Sequence, residues 1–396
     1  MWATFLIKGI KMIKSRFFVL FLLCFIVTFA FFNNFGDFSK NKINAEKSSL
    51  TTAKSMVVIE KTSGRVLYSH NENERLPMAS TTKIITAIFA IEKNEDLDKV
   101  VEIPKEATGI EGTSIGLKEG EHLTIRELLY GLMLRSGNDA AVVLAIESSG
   151  SEEEFVKEVN EYLKSKIGVS DTVLKNPHGL SVDGHYTTAS DLAKITAYAL
   201  NNKTFAEIVS TKNKSISNEL NSKYSRDLIN KNKLLKNYEF ADGVKTGYTR
   251  SAGRCFVGSA TKDGMQLVCV LLNCNPMFEE CQSLLEKGFE EFKMYKLVSK
   301  GDKVGEVEIL DAKTKNVEIY PNNDFYYPLK REELKDVYMA VKYTKKLTAP
   351  VEKGKELANV EVKIKNQLIF SDKIYNINYI EPDTFNSKFE RIIQKM

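Results

Sequence analysis

The chain has 396 residues, of which 43% are apolar and 27% are charged. This balance is typical of globular proteins and excludes the disordered, collagen-like and disulfide-knot classes. At roughly 100–200 residues per domain, the length predicts two or three domains. The formal net charge of +4 is mildly basic. Because basic chains often bind nucleic acids or membrane surfaces, the position of the basic residues decides what this charge means.

Residues 1–32 have the pattern of a secretory signal, in which four basic residues precede the apolar run Phe17–Phe32. The first 30 residues hold those four bases and no acid, so the rest of the chain has 52 basic and 52 acidic residues. This neutral remainder argues against a nucleic-acid partner. The run is shorter than the roughly 20 residues that span a bilayer. This favours a signal cleaved at 28–30 or 43–45 over a retained membrane segment, and it predicts an exported protein.

Export leaves four cysteines without the spacing or the histidine partners of a zinc site: Cys255, Cys269, Cys274 and Cys281. A hairpin turn is predicted at residues 262–263. Because neighbouring strand residues alternate in direction, this turn places Cys255 and Cys269 on opposite faces of a sheet. We therefore expect buried thiols, with a disulfide between Cys274 and Cys281 left open.

Residues 33–53 are expected to be a polar linker outside any fold, and a first domain to occupy residues 54–295. Strand patterns at 56–60 and 65–70 flank a turn at Gly64. Helical periodicity then predicts a series of helices over 82–92, 125–134, 139–146, from Ser151 onward, and 188–200. Strands at 254–260 and 265–272 and a helix over 276–295 follow. This order predicts an α/β domain whose terminal strands meet in one antiparallel sheet.

Residues 296–381 alternate apolar and polar side chains and predict a small all-β domain. Its strand-like segments are VGEVEIL, NVEIY, VYMAVKY, ANVEVKI and YNINYI. It contains no histidine or cysteine, so we expect a pedestal or a binding module. The tail at 382–396 carries Phe385, Phe389, Ile392, Ile393 and Met396 at helical spacing, with basic residues between them. Both a helix at a membrane surface and a terminal helix packed on its own domain have this pattern.

The first segment that points to chemistry is Ser80–Lys83. If a helix begins here, the serine and the lysine are one turn apart and face each other. A serine hydroxyl is a weak nucleophile until a nearby base takes its proton, and a lysine is such a base when burial or a second cation lowers its pKa. The spacing alone is weak evidence, because it also occurs at 39–42 and 259–262.

Two further segments add polar groups that suit the same reaction. Ser136-Gly137-Asn138 interrupts a helical pattern, so that its hydroxyl can relay a proton and its amide can hold a substrate amide. Lys245-Thr246-Gly247 is predicted on an edge strand, where a cation and a hydroxyl suit a terminal carboxylate. Gly247 lets a substrate backbone approach closely. Taken singly, each segment is equally well explained as an ordinary turn or an exposed strand.

The three segments occur in order, with 56 residues from Ser80 to Ser136 and 109 from Ser136 to Lys245. Such a triple is known from β-lactamases and penicillin-binding proteins. The chain most strongly resembles the D-alanyl-D-alanine carboxypeptidases, the low-molecular-mass penicillin-binding proteins. The segments that carry the resemblance are Pro77–Lys83, Leu134–Ala140, Asn176–Leu180, His185–Ala189, and Gly243–Thr249 with Ala252-Gly253.

The resemblance implies an α/β (α+β) serine penicillin-recognising domain, with an antiparallel sheet that has helices on both sides, followed by a small all-β domain. It implies that Ser80 is acylated by a peptidoglycan stem peptide ending in D-Ala-D-Ala, that Lys83 is the general base, and that Ser136 assists proton transfer. β-Lactams would be inhibitors. No cofactor and no metal are implied, and the protein would act outside the cytoplasm, at the outer face of the membrane or in the cell wall.

The same resemblance assigns the binding residues. Asn138 would hold the peptide, Lys245 and Thr246 would bind its carboxylate beside Gly247, and the backbone N–H groups of Ser80 and Tyr248 would form the oxyanion hole. The family often has histidine at the position of Tyr248, so the resemblance implies a role for the backbone donor of this residue and not for its side chain.

Four other functions share part of this pattern. A class A β-lactamase needs a Glu-x-x-Leu-Asn segment, which does not occur between residues 138 and 245. A D,D-endopeptidase or transpeptidase differs only in its acceptor, which a sequence hardly reveals. A metal-dependent carboxypeptidase built on His178, Asp183 and His185 lacks the HExxH pattern, so structural histidines are favoured. A non-catalytic wall-binding protein is disfavoured by the intact serine and lysines.

Overall fold

The structure is a computed structural model that describes residues 46–47, 51–216, 225–386, 389 and 393. The predicted export signal at 1–32 lies outside the described residues. Within the described ranges, no helix is long and apolar enough to cross a membrane.

A six-stranded sheet forms the centre of the first domain. Its strands among the described residues are β1 (Glu46–Lys47), β2 (Ser55–Glu60), β3 (Val66–His70), β8 (Ala241–Thr249), β9 (Gly253–Lys262) and β10 (Met265–Leu272). They lie in the order β1-β3-β2-β10-β9-β8, and all neighbours are antiparallel except β1 and β3. The strands from the two ends of the domain therefore meet in one antiparallel sheet, as predicted.

Two short hairpins lie outside this sheet, in the part of the first domain that carries most of its helices. They pair β4 (Val100–Glu102) with β5 (His122–Thr124), and β6 (Asn213–Ile216) with β7 (Arg226–Ile229).

Helices cover both faces of the sheet, which confirms the predicted arrangement. Those on one face are α1 (Lys83–Lys93), α2 (Ile125–Tyr130), α3 (Asn138–Ser149), α4 (Glu152–Tyr162), α5 (Ala189–Ala199) and α6 (Lys203–Ser210). On the other face lie α7 (Leu234–Asn237) and α8 (Met277–Glu291). A hydrophobic core lies on each face of the sheet. Neighbouring residues of β2 point into different cores, since Val57 packs with α1–α6 and Val58 packs with α8.

Two details differ from the sequence predictions. The helix expected over 125–134 ends at Tyr130 and continues as a π-helical turn over Gly131–Arg135. The linker expected over 33–53 is wrong at its end, because Glu46–Lys47 pairs with β3 and the Thr52 backbone N–H donates to Glu280. Sequence periodicity does not predict the β1–β3 pairing or the hydrogen bond to Glu280. A two-residue strand and a single side-chain contact are too short to produce a repeating pattern.

The second domain is all-β, as predicted. Its strands are β11 (Lys293–Val298), β12 (Gly305–Leu310), β13 (Asn316–Ile319), β14 (Phe325–Leu329), β15 (Val337–Tyr343), β16 (Leu347–Thr348), β17 (Glu356–Ile364) and β18 (Gln367–Tyr375). The strand expected at YNINYI is wrong, because β18 precedes it and ends at Tyr375, while Ile380 forms only an isolated bridge with Val351. The real strand is hard to recognise in the sequence because Ser371, Asp372 and Lys373 interrupt its apolar run.

A buried ion pair joins the two domains. Nη2 of Arg65 lies 2.5 Å from Oε1 of Glu333, and only 3% of the arginine side chain is exposed. Its guanidinium also lies over the rings of Phe292 and Tyr327, at 5.0 and 5.3 Å from their centroids.

The cysteines predicted to remain after export are buried free thiols, as expected: Cys255, Cys269, Cys274 and Cys281. The disulfide left open between Cys274 and Cys281 is therefore absent. Cys255 and Cys269 pack in the two different cores, which confirms that they face opposite sides of the sheet. In the tail, Phe385 and Phe389 are helical and exposed, whereas Ile392 and Met396 lie outside the described residues.

Candidate active site

A single tight turn presents Ser80 in front of α1. Residues Ala79–Thr82 form a 3-10 turn that leads directly into the helix at Lys83. Ala79 has φ +48°, a conformation that costs energy in any residue but glycine. Two hydroxyls hold it, because Thr81 donates to the Met78 carbonyl at 2.6 Å and Thr82 donates to the Ala79 carbonyl at 2.8 Å.

The side chain of Lys83 lies next to that of Ser80 and is fully buried. Its Nζ is 3.1 Å from Ser80 Oγ, 2.7 Å from Asn138 Oδ1 and 2.5 Å from the His178 carbonyl oxygen. A neutral amine has two N–H donors and one lone pair. The amide and carbonyl oxygens can accept only N–H donors, so they use both, and the lone pair is left for the proton of Ser80.

Electrostatics favours this neutral form. Burial lowers the pKa of Lys83 well below its ordinary value, and the nearby charges of Lys245 and Lys231 lower it further. Burial and the charge of Lys231 also lower the pKa of Lys245, to about 7. A charge on Lys245 therefore disfavours a charge on Lys83, which suits Lys83 as a base, and the lowered pKa of Lys245 leaves that side chain ready to gain a proton beside an anion.

The second segment meets the first through Asn138. Ser136 ends the π-helical turn in the left-handed conformation, with φ +67°, and Asn138 begins α3. The Asn138 amide points its oxygen at Lys83, and its nitrogen donates to the Glu111 carbonyl at 2.5 Å. One of its two N–H donors is thus engaged within the protein, and the second is available to a ligand.

The third segment runs along β8, the edge strand next to the nucleophile turn. A Cβ added at Gly247 would lie 2.9 Å from the backbone nitrogen of Ser80, so only glycine lets the strand pass this close. Lys245 is 1% exposed, and its Nζ donates to the Thr246 carbonyl at 3.0 Å. Tyr248 is 66% exposed, with the Arg254 guanidinium 5.8 Å from its ring centroid.

These segments line one groove of about 430 Å³. The predicted residues that line it are Ser80, Ser136, Asn138, Thr246, Gly247 and Tyr248, while Lys83 and Lys245 lie buried beside it. Sequence reasoning missed Thr113, Lys231, Lys233 and Arg254, which also line the groove. The four lie in ordinary polar stretches, and no local pattern distinguishes them. The groove lining includes lysine and arginine but no aspartate or glutamate, so it suits an anionic ligand.

His178 and His185, the two histidines near Lys83, are buried and in contact with other residues of the chain. Burial, together with the charge of Lys83, lowers the pKa of His178 to about 3 and that of His185 to about 4, so both are neutral near pH 7. His185 Nδ1 accepts from the Lys175 backbone, and Nε2 lies 2.9 Å from the Thr82 hydroxyl. The described residues contain no group of three or more His, Cys, Asp or Glu side chains that could hold a metal ion.

The sheet with helices on both faces, and a serine whose neighbour is a buried lysine, are typical of enzymes with a serine nucleophile. Comparison with known proteins identifies the family within that class. Residues 41–275 match the model of the D-alanyl-D-alanine carboxypeptidase family, and residues 292–381 match the C-terminal domain of penicillin-binding protein 5. The chain belongs to the D-alanyl-D-alanine carboxypeptidase family, which confirms the resemblance and the serine hydrolase class expected from its motifs.

Individual relatives agree with this assignment. The chain is 35% identical over 320 residues to the D-alanyl-D-alanine carboxypeptidase DacF of Bacillus subtilis, covering 78% of this chain and 81% of that protein. It is 29% identical over 329 residues to DacD of Escherichia coli, covering 78% and 82%. Penicillin-binding protein 5 of Haemophilus influenzae has a similar structure, with TM-score 0.72 and 26% identity over 84% of this chain and 98% of that one. A DD-transpeptidase of Streptomyces K15 is 28% identical over 62% of this chain and 99% of its own, with TM-score 0.58.

Proposed function

We propose that this protein removes the terminal D-alanine from peptidoglycan stem peptides through an acyl-enzyme on Ser80. The observation that carries the proposal is the hydrogen bonding of Lys83. Asn138 Oδ1 and the His178 carbonyl accept from Nζ at 2.7 and 2.5 Å, and Ser80 Oγ lies 3.1 Å from it, so a neutral Lys83 that donates to the first two has its lone pair left for the serine. Lys83 is therefore the base that takes the serine proton as the hydroxyl attacks the penultimate D-alanine.

The remaining steps follow from the groups around this pair. The backbone N–H groups of Ser80 and Tyr248 stabilise the negative charge on the attacked carbonyl oxygen. Lys245 and Thr246 bind the terminal carboxylate, and the arriving anion raises the pKa of Lys245 from about 7. Ser136 relays the proton that Lys83 took from Ser80 to the nitrogen of the departing D-alanine as the peptide C–N bond breaks. Water then hydrolyses the acyl-enzyme.

Asn138 has two roles in this proposal. Its oxygen orients Lys83, and its second amide N–H binds a carbonyl of the stem peptide, as expected from the sequence. The orienting role was not anticipated. It depends on a contact between residues 55 positions apart, which no local pattern reveals.

β-Lactams acylate the same serine, because their strained amide occupies the position of the scissile bond. Transfer of the acyl group to an amine instead of water is a second candidate function. The structural similarity to a Streptomyces DD-transpeptidase, with 28% identity, favours it over the β-lactamase and endopeptidase alternatives.

We further propose that residues 1–32 direct export and that the tail at 382–396 binds a membrane surface. The exposed fractions of Phe385, Phe389 and Ile393 are 80%, 55% and 56%, and apolar side chains this exposed suit the interfacial region of a bilayer. The enzyme then works outside the cytoplasm, with residues 54–295 as the catalytic domain and residues 296–381 as the domain next to the tail.

The proposal is tested by mixing the purified protein with a stem pentapeptide, and in parallel with benzylpenicillin, and measuring free D-alanine and penicillin hydrolysis. We expect D-alanine release together with slow penicillin turnover. Fast penicillin turnover without D-alanine release would assign a β-lactamase. Added glycine or D-amino acids separate transfer from hydrolysis, because a transpeptidase forms the exchanged peptide.

A further inference from the structure

Asp139, the residue after Asn138, holds a loop that no sequence motif marked. Its side chain is almost fully buried, at 1% exposed. Its carboxylate accepts hydrogen bonds from four groups of residues 111–117, here called the cap loop. The donors are the Ser114 hydroxyl at 2.5 Å and the backbone N–H groups of Ile115, Gly116 and Leu117 at 3.0–3.1 Å.

The cap loop in turn contacts both polar residues of the second motif. The Glu111 carbonyl accepts from Asn138 Nδ2 at 2.5 Å, and the Thr113 carbonyl accepts from the Asn138 backbone N–H at 2.7 Å. The Thr113 hydroxyl donates to the Ser136 carbonyl. Gly112 has φ +92°, and a Cβ there would lie 2.9 Å from Asn138 Nδ2. The loop therefore fits closely against one side of the amide.

This contact decides which way the amide points. An asparagine side chain can rotate so that its oxygen and nitrogen exchange places, and only one orientation offers the oxygen to Lys83 Nζ at 2.7 Å. The Glu111 carbonyl accepts a hydrogen bond and thus selects the nitrogen on its own side. Orientation of Lys83 therefore depends on the position of the cap loop, which depends on Asp139.

We propose that Asp139 is a positioning residue for catalysis, which fixes the cap loop and through it the hydrogen bond between Asn138 and Lys83. This inference rests on the proposed function, in which Lys83 is the base. Asn138 orients the base and also binds one carbonyl of the stem peptide, whereas the terminal carboxylate is held by Lys245 and Thr246. Loss of Asp139 therefore slows the chemical step more than it weakens substrate binding.

A purely electrostatic role makes a different prediction. Asp139 is the acid whose charge raises the pKa of Lys83. The other charged or titratable groups around Lys83 are Lys231, Lys245, His178 and His185. If charge alone mattered, removing it would lower the pKa of Lys83. The acid limb of the pH–rate profile would move to lower pH while the plateau rate above it stayed the same. Loss of positioning lowers the plateau itself.

The test is Asp139→Asn in the full chain, with kcat and KM measured for D-alanine release from a stem pentapeptide across pH. We expect the plateau kcat to fall about 10- to 100-fold, the cost of misplacing a catalytic group by up to about 1 Å, with KM changed less than about threefold. In an Asn138→Ala background the same substitution should cost less than about twofold, because the hydrogen bond it supports is already gone.

Asp191→Asn is the matched control. Asp191 also lies in the first turn of a buried helix and ties down a loop, through the Asp171 backbone and the Thr172 hydroxyl, but these two loop residues do not line the groove, whereas Gly112 and Thr113 of the cap loop do. It should cost stability without lowering the plateau kcat. If Asp139→Asn does not fold, Gly112→Ala replaces it, because the added Cβ perturbs the Asn138 amide from the other side. It should lower the plateau kcat by a similar factor, and this loss should be absent in the Asn138→Ala background.

The outcomes separate this inference from the proposed function. Wild-type protein that releases no D-alanine contradicts the proposed function. If the wild type is active, the inference is overturned by an unchanged plateau in Asp139→Asn, by equal losses with and without Asn138, or by the same loss in Asp191→Asn.

Discussion

The strictest geometric requirement near the nucleophile falls on Gly179. This residue has φ +89°, and a Cβ added to it would lie 2.0 Å from the Ala79 carbonyl oxygen and 2.8 Å from the Thr82 hydroxyl. Both groups belong to the turn that presents Ser80. The atoms in the way are mostly backbone, so no flexible side chain can move aside to make room. Gly179→Ala therefore has to displace either its own loop or the nucleophile turn.

The size of the displacement sets the size of the effect. Ordinary contact begins near 3.4 Å, so the 2.0 Å approach requires a relative movement of about 1.4 Å. A misplacement of about 1 Å in an active site costs about 100-fold in rate. The loop that moves includes His178, whose carbonyl accepts from Lys83, so either movement disturbs the base or the nucleophile. We expect acylation by penicillin to fall at least about 100-fold.

The assay is the rate of acylation by a fluorescent penicillin, measured by stopped flow together with the thermal unfolding midpoint. Gly109→Ala is the matched control, because Gly109 also has positive φ (+70°) but has no atom within 4 Å of the added Cβ. Its strain is the same in kind and costs about 1 kcal/mol of stability. Acylation at the wild-type rate in Gly179→Ala would refute the geometric reasoning, and so would an equal loss in Gly109→Ala.

Two further predictions concern stability. Burial lowers the pKa of His185 from 6.5 to about 4. Between these values the unfolded state binds a proton that the folded state does not, so the free energy of unfolding should fall by about 3 kcal/mol as pH drops from 6.5 to 4. Urea titrations at several pH values measure how steeply the free energy of unfolding falls with pH. The fall should be about 3 kcal/mol smaller in His185→Gln than in the wild type, and an equal fall in both proteins would contradict the prediction. Arg65→Met leaves Glu333 buried without its cation and should cost about 3–5 kcal/mol in the same titrations. Adding Glu333→Leu should recover most of the free energy of unfolding lost in Arg65→Met. A double variant as unstable as Arg65→Met would contradict this account.

The sequence predicted the sheet, most of the helices and the residues of the groove, because these depend on local periodicity and on short motifs. The position of Lys83 follows from its spacing to Ser80, and the edge strand at Lys245 follows from the hairpin beyond it. Helix starts were also predictable, since Ser151 and Thr188 accept from the third residue of their helices as N-caps do.

What could not be predicted depends on contacts between distant parts of the chain. Lys83 meets the His178 carbonyl across 95 positions, and Asn138 meets that of Glu111 across 27. Lys231 reaches the groove from a loop whose backbone is fixed by a hydrogen bond to Leu134. Backbone carbonyls and loop positions carry no residue-type signal, so the groups that orient the base were visible only in the structure.

The central claim, that Ser80 is the nucleophile and Lys83 its base, is tested most directly by finding where penicillin binds covalently. The protein is incubated with benzylpenicillin, digested, and mapped by mass spectrometry, in parallel with Ser80→Ala and Lys83→Ala. The account predicts one acylated peptide, containing Ser80, that is absent in Ser80→Ala and forms several orders of magnitude more slowly in Lys83→Ala. A penicilloyl group on another residue, or labelling that persists in Ser80→Ala, would contradict it.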